Sequence, residues 1–173
     1  CSAQQKGHSF QDKNILEVYE SLPVSLFNND GFEFKYELTE RDGKWVTNSS
    51  ADYEMPVVVD IQNGFIEISD EGTGGGSNLV QVVMFRKSDQ NPCIGICLGG
   101  FNGMFSENNA RFYEYINNRW TDVTGKVFPV FEFKSFMNTQ YVESNLRENN
   151  NIYSVLDYWV RLPRFGLIVE SEV

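Results

Sequence analysis

Covalent and metal chemistry in proteins leans on histidine and cysteine, and this chain holds one histidine, His8, and three cysteines, Cys1, Cys93 and Cys97. A nucleophile needs a base within hydrogen-bond reach. His8 lies in a polar N-terminal stretch, which argues against a Ser-His or Cys-His machine. In an extended chain, residues as far apart in sequence as Cys93 and Cys97 stand roughly 13 Å apart, well past the roughly 7 Å Cα limit of a disulfide. A sharp turn at Gly95 is the one arrangement that would join them. They are expected as small buried residues on one face, with a disulfide in an oxidising compartment as the alternative. Two cysteines without convergent histidines make a poor zinc site, and metal-assisted hydrolysis lacks its histidine cluster. No metal site, cofactor or catalytic residue is therefore assigned. A pair of carboxylates acting as acid and base stays open among 24 Asp and Glu residues, although nothing in their order selects two.

Two loops invite a binding role. Asp70-Glu71-Gly72-Thr73-Gly74-Gly75-Gly76-Ser77-Asn78 has the glycines of a phosphate cradle, but working cradles lead from a strand into a helix N-terminus. Here the following Leu79–Phe85 is β-like, no Lys-Ser/Thr pair follows, and the pattern falls short of a calcium loop. A strand connector is expected. Gly99–Asn109 is rich in Gly and Asn yet carries Phe101, Met104 and Phe105. Those apolar residues either fold back on the core or are held out for a partner, which makes them the candidate recognition loop.

The composition bounds the rest. The chain has 173 residues, 41% of them hydrophobic and 14% aromatic, enough for one well-formed core. No apolar run approaches the ~18–20 residues needed to cross a bilayer as a helix. With 14 basic against 24 acidic residues the net charge is −10, and no Lys/Arg cluster offsets it, so no nucleic-acid partner is expected. Cys1 is followed by the small, polar Ser2-Ala3-Gln4-Gln5-Lys6-Gly7. That start resembles a mature bacterial lipoprotein, in which the N-terminal cysteine carries the lipid and holds the domain to a membrane without spanning it. Cys1 is accordingly the expected lipid attachment and the membrane the expected partner. No acidic run follows Cys1, which tilts the expectation towards a periplasm-facing position. Residues 1–8 read as a flexible tether and residues 9–173 as a single globular domain.

The elements that would position any site follow from periodicity. Ser9-Phe10-Gln11-Asp12 fits a helix start, and Ile15, Val18, Tyr19 and Leu22 then form one apolar stripe that Pro23 ends. Phe32, Phe34, Tyr36 and Leu38 alternate with charged residues as in a strand with one wet face, and Asp42-Gly43 turns it back into Trp45-Val46. From Pro56 to Val127 the chain reads as a meander of short strands: Val57–Ile61, Phe65–Ser69, Leu79–Phe85, Cys93–Leu98, Arg111–Ile116 and Arg119–Val123. Asn63-Gly64 predicts a two-residue turn with Ile61 facing Ile66 and Asp60 facing Glu67, a like-charge pair open to water or holding a cation. Leu79–Phe85, apolar on both faces, should be central. Asn117-Asn118 should set Tyr115 against Trp120 and Tyr113 against Asp122; the aromatic pair stabilises the sheet and could also stack on a sugar. A packing segment around Phe131–Phe136, a loop over Asn138–Asn151, and a last strand pair, Tyr153–Leu162 with Leu167–Glu170, complete the expectation. The class is α+β, mainly antiparallel β, a single meander-rich sheet with an N-terminal helix packed on it.

At Asn63-Gly64-Phe65, Met84-Phe85-Arg86-Lys87, Phe112-Tyr113-Glu114-Tyr115, Arg119–Thr124 and Leu162-Pro163-Arg164-Phe165-Gly166 the chain resembles small envelope lipoproteins of Bacteroidetes. The resemblance covers most of the chain after the helix and rests on turn and packing signatures. It implies location and fold and carries no established activity. The sequence thus leads to a lipid-anchored cell-envelope binding or interaction domain without catalytic activity, its partner an envelope protein or glycan. The alternatives are a carboxylate-dependent hydrolase of an envelope glycan or peptide, and an inhibitor of an envelope-degrading enzyme that would present Gly99–Asn109.

Overall fold

The computed structural model describes residues 10, 12–29, 32–48, 54–70, 76–87, 92–101, 106–127, 159–166 and 170–172. Helix α1 runs Ile15–Ser21, later than Ser9 and Asp12 suggest. Asn14 takes the N-cap: its Oδ1 accepts from the Glu17 amide at 3.0 Å while Glu17 Oε2 accepts from the Asn14 amide at 2.8 Å. That reciprocal box satisfies two free N–H groups at once. Ile15, Val18, Tyr19 and Leu22 are buried, as the stripe requires. Pro23 holds Leu22 in an extended conformation and ends the helix. The last turn of α1 has no basic residue of its own. Lys35 supplies one from outside, its Nζ donating to the carbonyls of Glu20 at 3.0 Å and Leu22 at 2.7 Å.

A 3₁₀ turn, Val24–Leu26, leads to β1 (Asn28–Asn29), which pairs with β2 (Phe32–Glu33). The single strand expected over Phe32–Leu38 is thus divided: Phe34–Tyr36 pass beneath the end of α1, and pairing resumes at β3 (Glu37–Arg41). Then follow β4 (Lys44–Asn48), β5 (Pro56–Asp60), β6 (Phe65–Asp70), β7 (Ser77–Arg86), β8 (Pro92–Phe101), β9 (Ser106–Ile116) and β10 (Arg119–Asp122). These eight form one antiparallel sheet in the order β10-β9-β8-β7-β6-β5-β4-β3, a strict meander. A short helix, α2 (Thr124–Val127), follows, and β11 (Trp159–Arg161) pairs with β12 (Glu170–Glu172) close to the expected last strand pair. The architecture is the expected α+β, mainly antiparallel class. Among the described residues no helix is long and apolar enough to cross a membrane. Phe131–Phe136, Asn138–Asn151 and His8 lie outside the described residues.

The turns divide by chemistry. Asp42-Gly43 and Asn117-Asn118 hold positive φ at both centres, 51° and 73° in the first and 51° and 61° in the second, as two-residue hairpin turns require. Asn63-Gly64 does not form such a turn. Only Gly64 is left-handed, at φ 65°, and Val59 faces Ile66 with Asp60 facing Phe65. The cause is Asp60, whose carboxylate accepts from both the backbone amide (3.1 Å) and the side-chain amide (2.9 Å) of Asn63 and so closes a four-residue loop. The two-residue register shift keeps the apolar faces together but releases Ile61, 51% exposed, into the loop. It also separates Asp60 from Glu67, so the expected like-charge pair does not exist; Glu67 faces Val58.

Gly99–Asn109 is largely strand and not the expected loop. Gly99 pairs with Asn108, Gly100 with Glu107 and Phe101 with Ser106, while Phe101 also pairs with Ser77 on the other side. Ladder pairing, on both sides of Gly99–Phe101 and with β8 for Ser106–Asn109, overrides the turn preference of Gly and Asn. What remains of the candidate recognition loop, including Met104 and Phe105, lies outside the described residues, and Phe101 closes β8. The glycine-rich stretch likewise joins two antiparallel strands, with Asp70 paired to Asn78. It leads into no helix.

Both faces of the central strands are covered. On one, α1 and Phe27 pack over Ile66, Ile68, Val82 and Ile96. On the other, Phe65, Val83, Cys93, Cys97 and Phe112 lie under Val123 and under Leu162 from the strap Trp159–Gly166. Gly95 makes that closure possible. A Cβ there would stand 3.1 Å from both Leu162 Cδ1 and Phe112 Cε1, and 3.2 Å from Phe85 Cε2. Gln81, 3% exposed in the middle of β7, clips the strap down: its Oε1 accepts from the Leu162 amide at 2.9 Å, and its Nε2 donates to Glu67 Oε2 at 2.8 Å.

Candidate functional site

A groove of about 450 Å³ opens between α1 and the β3–β4 hairpin, within the range that small ligands occupy. Helix α1 supplies the half-buried Leu16 and the buried Tyr19, with the exposed Glu20 at the edge. The Phe34–Tyr36 passage supplies Lys35 and Tyr36, and the hairpin supplies Glu37, Leu38 and Trp45. Tyr19 fixes one wall, its hydroxyl donating to the Tyr36 carbonyl at 2.6 Å. Burial first, then the nearby Tyr36 phenol, push the Tyr19 pKa well above its ordinary value. Burial also raises Tyr36, with Asp70 adding to it.

Lys35 is the cation at the floor. Its ammonium lies 4.9 Å from the centre of the Tyr19 ring and 5.9 Å from that of Phe27. Burial lowers its pKa and Glu20 opposes the shift. Tyr36, Leu38 and Trp45 are half-buried, packed against the core at their backs and open in front. Glu20 and Glu37 are exposed, and Glu37 Oε2 accepts from Asn48 Nδ2 at 3.2 Å. The groove therefore has aromatic and aliphatic walls, a committed cation at its floor and two carboxylates at its lip.

The aromatic pair singled out in sequence is placed differently. Tyr115 and Trp120 do face each other, edge to face at 5.3 Å. Phe10 packs on both, at 4.6 Å from Tyr115 and 5.2 Å from Trp120, and Lys13 sits over Phe10. A ring of the chain itself thus occupies that surface, and the pair acts in packing.

A second cleft, also about 450 Å³, runs under the strap beside Phe65, Glu67, Arg161 and Phe165. Most of its polar groups hold structure. Glu67 and Gln81 form the clip, and Arg164 Nε donates to Asp60 Oδ2 at 2.9 Å with its guanidinium over the Phe165 ring. The hydrogen bond from Asn63 first, and then that from Arg164, lower the Asp60 pKa. Cys93 and Cys97 are buried, on one face and unbridged, as extended spacing requires. Burial, aided by Glu114 and opposed by Lys87, pushes the Cys93 thiol up to about 11, and the Cys97 thiol donates to the Val160 carbonyl at 3.2 Å. Neither is a poised nucleophile.

Among the described residues no group of three or more His, Cys, Asp and Glu is placed to hold a metal. Cys1 lies outside them. Sequence reasoning missed the groove. Its one available signal was the alternating Phe34-Lys35-Tyr36-Glu37-Leu38, which sets apolar and charged groups side by side near a tryptophan. Comparison with protein-family models, with characterised proteins and with solved structures finds no match to this chain.

Proposed function

We propose that this chain is a non-catalytic binding domain of the bacterial cell envelope, held to a membrane through a lipid on Cys1, with the α1/β3–β4 groove as its recognition surface. The observation that carries the binding role is the groove itself: half-covered Trp45, Tyr36 and Leu38 beside ionised side chains. A concave site with apolar walls and a few convergent polar groups is the default place to look for ligand recognition. The anchoring part rests on Cys1 and the polar residues after it. Its test is metabolic labelling with a palmitate analogue in the native host: label on the wild type and none on Cys1→Ser supports the anchor, and an unlabelled wild-type protein removes it. The binding role is tested by capture of solubilised envelope fractions on the immobilised chain, comparing wild type with Trp45→Ala. Equal capture by both would remove the groove from the reading.

One observation favours a second reading, a carboxylate-dependent hydrolase of an envelope glycan or peptide. Glu20 and Glu37 line the same groove. Both are exposed, however, whereas a catalytic general acid is kept protonated by burial or by a close like charge. Release of soluble fragments from envelope glycan or peptide by the wild type, lost in Glu20→Gln and Glu37→Gln, would establish it over the binding role.

A further inference from the structure

We infer that the α1/β3–β4 groove takes a neutral saccharide, one or two sugar rings long, stacked on Trp45 or Tyr36 with its hydroxyls donating to Glu20 and Glu37. The inference rests on the binding role proposed above and names its ligand class. It is reached by matching charge and shape.

An anion fits poorly. Two carboxylates stand at the lip, and the one cation among the described lining residues, Lys35, already donates to the carbonyls of Glu20 and Leu22. A cationic ligand fits poorly too. The two carboxylates would draw it in, but Lys35 already occupies the Tyr19 face and the carbonyl end of α1 where an incoming ammonium would be received. A wholly apolar ligand would strip water from Glu20, Glu37 and Lys35 and return no hydrogen bond.

A sugar ring meets each requirement. Its hydroxyls are donors for exposed carboxylates, and such charge-assisted bonds are about twice as strong as neutral ones. Its C–H face lies against an aromatic ring, and the half-buried Trp45 and Tyr36 offer rings braced from behind by the core. The volume, about 450 Å³, is at the small end for ligand sites and suits one or two rings. The aromatic pair at Tyr115 and Trp120 offers no such surface, because Phe10 packs on it.

The test is ¹⁵N NMR of the full chain titrated with a panel of neutral mono- and disaccharides, alongside choline, citrate and hexanoate, with a glycan array to widen the sugars. The expected result is a shift of the Trp45 indole N–H with the Trp120 indole unmoved. Trp45→Ala should weaken binding at least tenfold, Trp45→Phe should retain most of it, and Glu20→Gln or Glu37→Gln should weaken it severalfold. The Trp120 indole signal reports whether each variant is folded. Silence across every sugar, in solution and on the array, overturns the inference. A Trp45 response to choline, citrate or hexanoate alone overturns the saccharide class and leaves the binding role standing. Hydrolysis of a bound disaccharide keeps the ligand class and overturns the non-catalytic role.

Discussion

Gln81→Leu is the sharpest probe of how the two sides of this sheet are tied together. The amide sits in the central strand at 3% exposure and makes two hydrogen bonds, one from the Leu162 amide and one to Glu67. Leucine of similar size cannot accept from Leu162. The buried N–H left behind costs about 1–3 kcal/mol. Glu67 is only half-buried and can turn towards water, so its loss adds about 0.5 kcal/mol, near the low end for a hydrogen bond. The new side chain returns about 1 kcal/mol of apolar burial. The net expectation is a destabilisation of about 0.5–2.5 kcal/mol, read as a lower urea midpoint at unchanged slope. Hydrogen exchange localises the effect: the Leu162 amide should lose protection more than amides of α1.

Gln81→Glu sharpens the same test, since it keeps an acceptor for Leu162 but places a second carboxyl group against Glu67. Burial and the like charge raise its folded pKa above the unfolded value of about 4.3. The folded state then binds the extra proton more tightly, so stability is full below the unfolded value and falls as pH rises through the folded one. An unchanged midpoint in Gln81→Leu with Leu162 still protected would refute the clip. A pH-independent Gln81→Glu would refute the electrostatic part.

Three further outcomes are expected. Gly95→Ala must push its methyl group against Leu162, Phe112 and Phe85 at once; overpacking of about 1–3 kcal/mol outweighs the ~0.5–1 kcal/mol that alanine gains over glycine in a strand, and Leu162→Val should recover part of the lost melting temperature. Thr47, fully buried, accepts the Met55 amide on its Oγ1 at 3.0 Å, so Thr47→Val should cost about 1–3 kcal/mol in denaturant unfolding while Thr47→Ser costs less. The Cys93 pKa is raised from 9.0 to about 11, so the folded state holds that proton more tightly. Stability should be level below about pH 9 and fall by roughly 1–2 kcal/mol as pH climbs through about 11, after allowance for solvent screening, and Cys93→Ser should flatten that slope.

What could be read in sequence was local, and what could not was decided by competition or by tertiary paths. Asp42-Gly43 and Asn117-Asn118 demand positive φ at both centres, and nothing nearby competes with them. Asn63-Gly64 carries the same kind of signal but loses to the Asp60 carboxylate, a side-chain acceptor that turn propensities do not weigh. The continuous apolar run Leu79–Phe85 correctly announces a strand covered on both sides. Gly99–Asn109 looks like a loop because its residues prefer turns, yet β7 and β9 offer ladders on either side of Gly99–Phe101, and β8 pairs with Ser106–Asn109. The groove was invisible for a different reason. Leu16, Tyr36 and Trp45 each obey an ordinary packing pattern within their own element. Only the passage of Lys35 under the end of α1 leaves them half-covered together.

The strict meander has a bearing on how the chain matures. Each strand of the large sheet pairs with the one made just before it, so the sheet can grow in the order of synthesis with short loops to close and little search. The strap does not share that economy. Leu162 reaches the cluster of Phe65, Val83, Cys97 and Phe112 only after the sheet from β3 to β10 has been made. Until then that apolar face lacks its Leu162 cover, a surface of the kind that chaperones and proteases recognise. Docking of Leu162 onto Gln81 therefore gives the chain a built-in mark of completion, and a chain cut short before Trp159 would carry a formed sheet that still reads as unfinished.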